Sequence, residues 1–329
     1  MKKNNKNLHT LISITVALPL AVGSAFAVAA DFPDKPVRFV VGFTPGGPSD
    51  IVARLLGQKL AEAWSQQVVI DNRAGAGGNI AAEIVAKAPG DGYTLLLGNN
   101  SILATNAALY SKLNFDPVKD FAPVILVASQ PNILVVHPSL PIKTVKDLIA
   151  LAKSKPGQLN YASSGSGAAA HLSGELFKAM AHVDLVHIPY KGAAPALNDV
   201  LAGQDQLMFA TSLSVVPHIK SGRLRALAVT TAKRMQAMPE LPTVAEAGVP
   251  GFEATTWHGV VVSAATPQAL VNRINADLAK VLQAPDVRER FTVLGAEVIG
   301  GSPEDFSAYI KKEIPKWTKV VKDSGARAD

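Results

Sequence analysis

Residues 37–50 read VRFVVGFTPGGPSD. Val37-Arg38-Phe39-Val40-Val41 has the make-up of a short buried strand, and it gives way at once to a turn rich in Gly and Pro. From Ile51 the apolar positions Ile51, Leu55, Leu56 and Leu60 return at helical spacing, which predicts a helix to about Trp64. Strand, glycine turn, helix then repeats. Val68-Val69-Ile70 runs into the turn Asn72–Asn79, with a helix near Ile80–Ala88, and Thr94–Leu97 ends at Gly98-Asn99-Asn100-Ser101. Such repetition means a parallel sheet covered by helices, with ligands beyond the carboxyl ends of the strands. The turns after Val41, Ile70 and Leu97 are therefore expected on one rim.

The pattern restarts after Pro131. Thr144-Val145-Lys146-Asp147 is a capping-box signature for a helix to about Ser154. Strand Leu159–Ala162 leads through Ser163-Ser164-Gly165-Ser166-Gly167 into a helix through Met180, and strand Leu185–Ile188 leads through Pro189–Gly192 into a helix over Ala193–Leu201. Strands follow at Gln206–Phe209 and Leu224–Val229, giving a second α/β unit. The tail is mostly helical. Thr266-Pro267 predicts a cap and first-turn proline before Ala269–Leu282, and Ser302-Pro303-Glu304-Asp305 repeats the signal before the last helix. The lysines at 311, 312, 316, 319 and 322 read as a solvated face, since Glu313 and Asp323 interrupt them.

The chain has 329 residues, of which 48% are hydrophobic and 18% charged, with no cysteine. That length suits one large domain or two ordinary ones. Lack of cysteine excludes thiol nucleophiles, disulfide frameworks, Cys-ligated zinc, iron–sulfur clusters and a lipid-anchored cysteine. Residues 1–30 carry Lys2, Lys3 and Lys6, an apolar run from Leu11 to about Val22, then small residues. This is the layout of a signal peptide cleaved near residues 27–30, and the absence of twin arginine favours general export. Removing residues 1–30 takes three lysines and no acid with it, so the formal +6 becomes +3. That mild charge gives no footprint for a nucleic-acid partner. No later run reaches the length of a membrane span, so a soluble periplasmic protein is expected.

The first candidate site is Phe43 to Asp50, through Pro45, Gly46, Gly47, Pro48 and Ser49. Glycines let backbone N–H groups approach a ligand, and a helix N-terminus stabilises a carboxylate or phosphate by about 0.3–2 kcal/mol. The same residues read equally as a helix start capped by Ser49 or Asp50. No Gly-Lys-Ser/Thr follows, which excludes a P-loop, and Pro45, Pro48 and Asp50 crowd the place of a dinucleotide pyrophosphate. The second candidate is Ser163, Ser164, Gly165, Ser166, Gly167 and Ala168. Gly165–Ala170 matches G-x-G-x-x-A, but the next strand ends in Tyr190-Lys191 with no acid for a ribose. Hydroxyls and free N–H groups suit a small anion; a serine-capped helix start is the alternative. Asn99, Asn100 and Ser101 add amides and a hydroxyl, and Tyr190, Lys191 and Gly192 a phenol, a cation and a flexible backbone. His171 reads as a satisfied or pocket-edge histidine. Trp257 reads as a wall for a ring or alkyl chain or, equally, as a core residue. Ser164 and Ser166 lack the G-x-S-x-G frame, and the remaining histidines are scattered. No catalytic residue, metal or cofactor is expected.

Six segments in order carry a resemblance over essentially the whole mature chain: Pro33–Asp50, Val68–Gly98, Tyr161–Leu172, Pro189–Gly203, Gly222–Arg234 and Leu241–Gly248. The sequence resembles the Bug-type substrate-binding proteins of tripartite tricarboxylate transporters. The resemblance implies an α/β, two-lobed periplasmic-binding-protein ("Venus flytrap", type II-like) fold with a ligand cleft between lobes joined by crossing strands. It implies a first lobe of residues 31–128 plus 251–329 and a second of 129–250. It implies a small carboxylate ligand (a dicarboxylate, tricarboxylate or aromatic acid), gripped by Pro45–Ser49, Gly98–Ser101 and Ser163–Ala168. It also implies large and small membrane subunits of a permease as partners of a monomeric receptor. Two departures stand out. Many members have an acid soon after the Met-Phe strand end, where this chain has Ala210-Thr211-Ser212, which tilts the ligand toward one without positive charge. Trp257-His258 replaces a more usual Trp–aromatic pair. The competing expectations are a ligand sensor for a two-component system and a periplasmic esterase.

Overall fold

The computed structural model describes Met1 and residues 32–328; the rest of the expected signal peptide lies outside the described residues. From Pro33 onward the elements are β1 Val37–Val41, α1 Pro48–Trp64, β2 Val68–Asn72, α2 Asn79–Ala86, β3 Thr94–Asn99, α3 Asn106–Leu109 and β4 Phe121–Val136. Next come α4 Val145–Ser154, β5 Asn160–Ser163, α5 Ala169–Ala181, β6 Val186–Pro189, α6 Ala193–Leu201, β7 Leu207–Thr211, α7 Ser212–Lys220 and β8 Arg225–Val229. The chain ends with β9 Thr255–Ser263, α8 Gln268–Gln283, α9 Pro285–Val293, β10 Glu297–Gly300 and α10 Pro303–Ser324.

Two sheets share one strand. In the first, β1 lies between β2 and β3, parallel to both, and antiparallel pairs β3–β9, β9–β4 and β4–β10 follow. In the second, β5 lies between β6 and β7, parallel to both, and β4 pairs antiparallel with β7 and β8. Phe121–Pro131 of β4 pairs with β9, while Asn132–Val136 pairs with β7 and β8, so the strand changes sheets at Pro131–Asn132. At about 3.3 Å per residue it spans about 50 Å, long enough to serve two lobes. This is the two-lobed α/β fold of periplasmic binding proteins.

The restart expected after Pro131 falls inside one continuous strand, where β4 leaves β9 and takes up β7. Proline removes a ladder donor and sits in sheets only at edges and irregularities. Pro123 lies at a register shift against β9, and Pro131 lies where β4 exchanges partners, so neither interrupts a regular ladder. Beside it, Asn132 and Thr230 form the crossing point. The Asn132 N–H donates to Thr230 Oγ1 at 3.0 Å, and that hydroxyl reaches the carbonyl of Ala254 at 2.6 Å.

Helix starts differ from expectation in two places. Helix α1 begins at Pro48 rather than Ile51, with Gly47 as N-cap, so Ser49 and Asp50 sit inside the first turn and neither caps it. In α8 the N-cap is Pro267 itself, and Thr266 makes no cap. The expected capping box of α4 (Thr144 with Asp147) forms, and α10 has the expected cap at Ser302 and first-turn proline, with Asp305 completing a capping box there. Helix α10 packs on β9, where Trp257 meets Phe306 and Tyr309 edge-on at 5.8 and 5.4 Å. Against the second sheet, Phe177 of α5 and Phe252 pack with Phe209 of β7. Both cores hold the strands so that their carboxyl ends converge on one cleft.

Candidate functional site

A narrow cleft with a cavity of about 30 Å3 lies where β1, β3, β5 and β7 end. Phe43, Pro48 and Ser49 come from the β1–α1 turn, Asn99 and Ser101 from the end of β3, and Thr256 and His258 from β9. The opposite side is formed by Ser164, Ala168, Ala169, Ala170, Ala193, Met208, Phe209 and Thr211. Helices α1, α5, α6 and α7 all begin at this cleft, so their N-terminal N–H groups and positive dipole ends converge there. His258 is the one ionisable side chain in the lining, and burial lowers it to about 4, so the wall is uncharged at neutral pH.

The first rim is braced from behind by Asp50. Burial pushes its carboxyl up, but hydrogen bonds from Arg54, the Gly46 N–H and Asn72 outweigh this and hold it below the ordinary carboxylate range. Those contacts are 2.8, 2.9 and 3.1 Å, so the carboxylate is satisfied inside the loop and does not line the cavity. Asn99 Oδ1 accepts from the Ile102 N–H at 3.1 Å, which leaves its amide nitrogen as a donor. Ser101 Oγ is buried with no protein partner. Ser49 Oγ lies 2.9 Å from His258 Nε2.

The second rim is likewise held by its own contacts. Ser163 Oγ accepts from the Gly165 N–H at 3.1 Å and lies 2.6 Å from His187 Nε2. The Gly167 N–H donates to His171 Nδ1 at 3.0 Å, and His171 stacks on His187 at 3.9 Å. Gly167 has φ +79°, a conformation side chains disfavour, and a Cβ there would lie 2.3 Å from Leu109. The rims touch elsewhere too: a Cβ on Gly192 would sit 2.1 Å from Thr44 Oγ1, and one on Gly77 3.2 Å from the Ser166 carbonyl.

Eight residues singled out in the sequence line the cavity: Phe43, Pro48, Ser49, Asn99, Ser101, Ser164, Ala168 and Thr211. Others stand behind them. Pro45 and Gly46 are exposed, Gly47 and Asp50 support the α1 start, and Asn100 is buried with neither amide atom partnered. Ser163, Gly165, Ser166, Gly167 and His171 shape the second loop without lining the cavity. Three expectations are corrected. Trp257 faces the core, its indole N–H donating to Glu313 at 2.9 Å. The Tyr190 hydroxyl lies 2.6 and 2.7 Å from Asp199 and Asp205, away from the cleft, and Lys191 is exposed. Gly192 does not line the cavity but lets the rims meet. The sequence reading missed His258, Thr256, Met208, Phe209 and the alanines at 169, 170 and 193. Strand alternation could have pointed to His258, since neighbours on a strand face opposite sides.

The family model described as "Tripartite tricarboxylate transporter family receptor" matches residues 52–326. Protein BugT of Bordetella pertussis is 36% identical over 323 residues, covering 98% of this chain and 99% of BugT. Among solved structures, Rpa4515 of R. palustris with adipate is 44% identical with a TM-score of 0.87, covering 89% of this chain and 98% of that one. MatC (Rpa3494) from Rhodopseudomonas palustris with bound malate is 35% identical with a TM-score of 0.84, covering 88% and 100%. With its two-sheet architecture, its convergent helix starts and these matches over nearly its whole length, the chain belongs to the tripartite tricarboxylate transporter receptor family, the Bug-type solute-binding proteins.

Proposed function

We propose that this protein is a periplasmic receptor that captures a small dicarboxylate between its lobes and delivers it to the large and small membrane subunits of a tripartite tricarboxylate-type permease. One observation carries the reading: four helix N-termini and the neutral donors Ser49, Asn99, Ser101 and Ser164 converge on a cavity whose lining contains no acid or cationic side chain. Such donors stabilise an anion without a counter-charge that would hinder its release. A dicarboxylate places one carboxylate on each rim, prefers the closed form and so drives closure. The adipate and malate of its structural relatives are of this class. In this reading residues 31–128 with 251–329 form one lobe and 129–250 the other, residues 1–30 direct export, and the mature receptor is a freely diffusing monomer.

Calorimetric titration of the purified protein with adipate, malate, citrate and an aromatic acid tests the proposal. A dicarboxylate is expected to bind with micromolar affinity, about −8 kcal/mol. An absence of both heat and thermal shift across the whole panel would sink it. A sensory role in a two-component system uses the same site, and pull-down of the permease subunits against a sensor kinase separates the two.

A further inference from the structure

Ser49, His258 and Gln130 form a hydrogen-bonded chain that starts on the cavity wall and runs inward. Ser49 Oγ is 2.9 Å from His258 Nε2, and Gln130 Nε2 is 3.1 Å from His258 Nδ1. All three residues are buried. Gln130 sits on β4 and His258 on β9, two register positions apart on paired strands, so their side chains meet on one face.

The direction of each bond follows from chemistry. An amide nitrogen only donates, so Nδ1 of His258 must be bare. The imidazole is neutral, as its burial requires, so its one proton sits on Nε2 and is donated to Ser49 Oγ. Ser49 then accepts from behind, and its own proton has the cavity ahead of it. The opposite amide orientation would bury the Gln130 NH2 where its carbonyl now lies without a partner. An orphaned donor is the costlier of the two, which favours the polarity present here.

We propose that Gln130 is a positioning residue that, through the tautomer of His258, fixes Ser49 as a donor toward the cavity and so selects an ionised carboxylate at the first rim. The proposal rests on the carboxylate-receptor reading above. The same polarity keeps His258 Nε2 occupied, so it cannot take the Ser49 proton, and the pair is not set up as nucleophile and general base. A triad of that kind needs the third group to accept from Nδ1–H, the reverse of what Gln130 does.

Two measurements test this. Long-range 15N–1H correlation on ligand-free protein labelled at histidine, with the signal assigned through His258→Gln, is expected to show the proton on Nε2. A proton on Nδ1 overturns the proposal whether or not any acid binds. The second is a double-mutant cycle on the affinity for adipate, with each variant checked for an intact melting transition. Gln130→Met is expected to weaken binding about tenfold in the wild-type background and less than about twofold beside Ser49→Ala, because its effect passes through Ser49. An equal loss in both backgrounds, or none in either, refutes it. Failure of wild-type protein to bind any acid would remove the receptor reading while leaving the tautomer measurement decisive.

Discussion

At the scale of single residues, Trp257 and His258 illustrate how one backbone step separates the core from the cavity wall. The indole of Trp257 shares Glu313 with the indole of Trp317; both N–H groups donate at 2.9 Å to the same carboxylate oxygen. Glu313 is 4% exposed, so its loss strands two buried donors. Glu313→Ala is expected to lower unfolding free energy by about 3 kcal/mol, and Glu313→Gln, which keeps an acceptor oxygen, by about 1 kcal/mol. Denaturant melts of both variants check this; equal losses would show that the acceptor is not what matters. Nothing local marks Glu313 as a core residue. It sits in a lysine-rich helix whose sequence reads as a solvated face, and its buried role appears only once α10 packs on β9.

At the scale of elements, the glycine at the start of α6 lets the two rims meet. Gly192 has an extended backbone that any residue adopts, with φ 167°. A Cβ there would lie 2.1 Å from Thr44 Oγ1 and 2.9 Å from Thr44 Cβ, across the cleft on the β1–α1 turn. Gly192→Ala is therefore expected to weaken dicarboxylate binding at least about tenfold, or 1.4 kcal/mol. An unchanged dissociation constant would show that the rims need not approach this closely. Most elements were legible in advance because their signals are local. The α6 range was read to the residue, the capping box of α4 forms as written, and α10 starts at its expected cap and proline. Strand β4 was not legible as one strand. Its two prolines resemble breaks, and only the register against β9 and β7 shows that each falls where the ladder is already irregular.

For the molecule as a whole, buried neutral histidines tie stability to pH. Burial depresses His258 to about 4, and burial with a smaller effect of Lys178 depresses His171 to about 4. The unfolded chain titrates near 6.5, so below that pH it binds protons that the folded protein refuses. This contribution is complete above pH 6.5 and is lost as pH falls toward 4, by about 2 kcal/mol per histidine at pH 5. The melting temperature is expected to drop between pH 7 and pH 5, and less steeply in His171→Gln. Identical pH slopes for wild type and variant would contradict this. By itself, the sequence determined the repeating βα units and the glycine- and hydroxyl-rich rims at strand ends, because each is written within a few neighbouring positions. Only the tertiary structure decided which side chains share the cavity. His258 is 209 positions from Ser49 and 128 from Gln130. A one-residue change of register on β9 would turn the histidine into the core and the tryptophan toward the cavity.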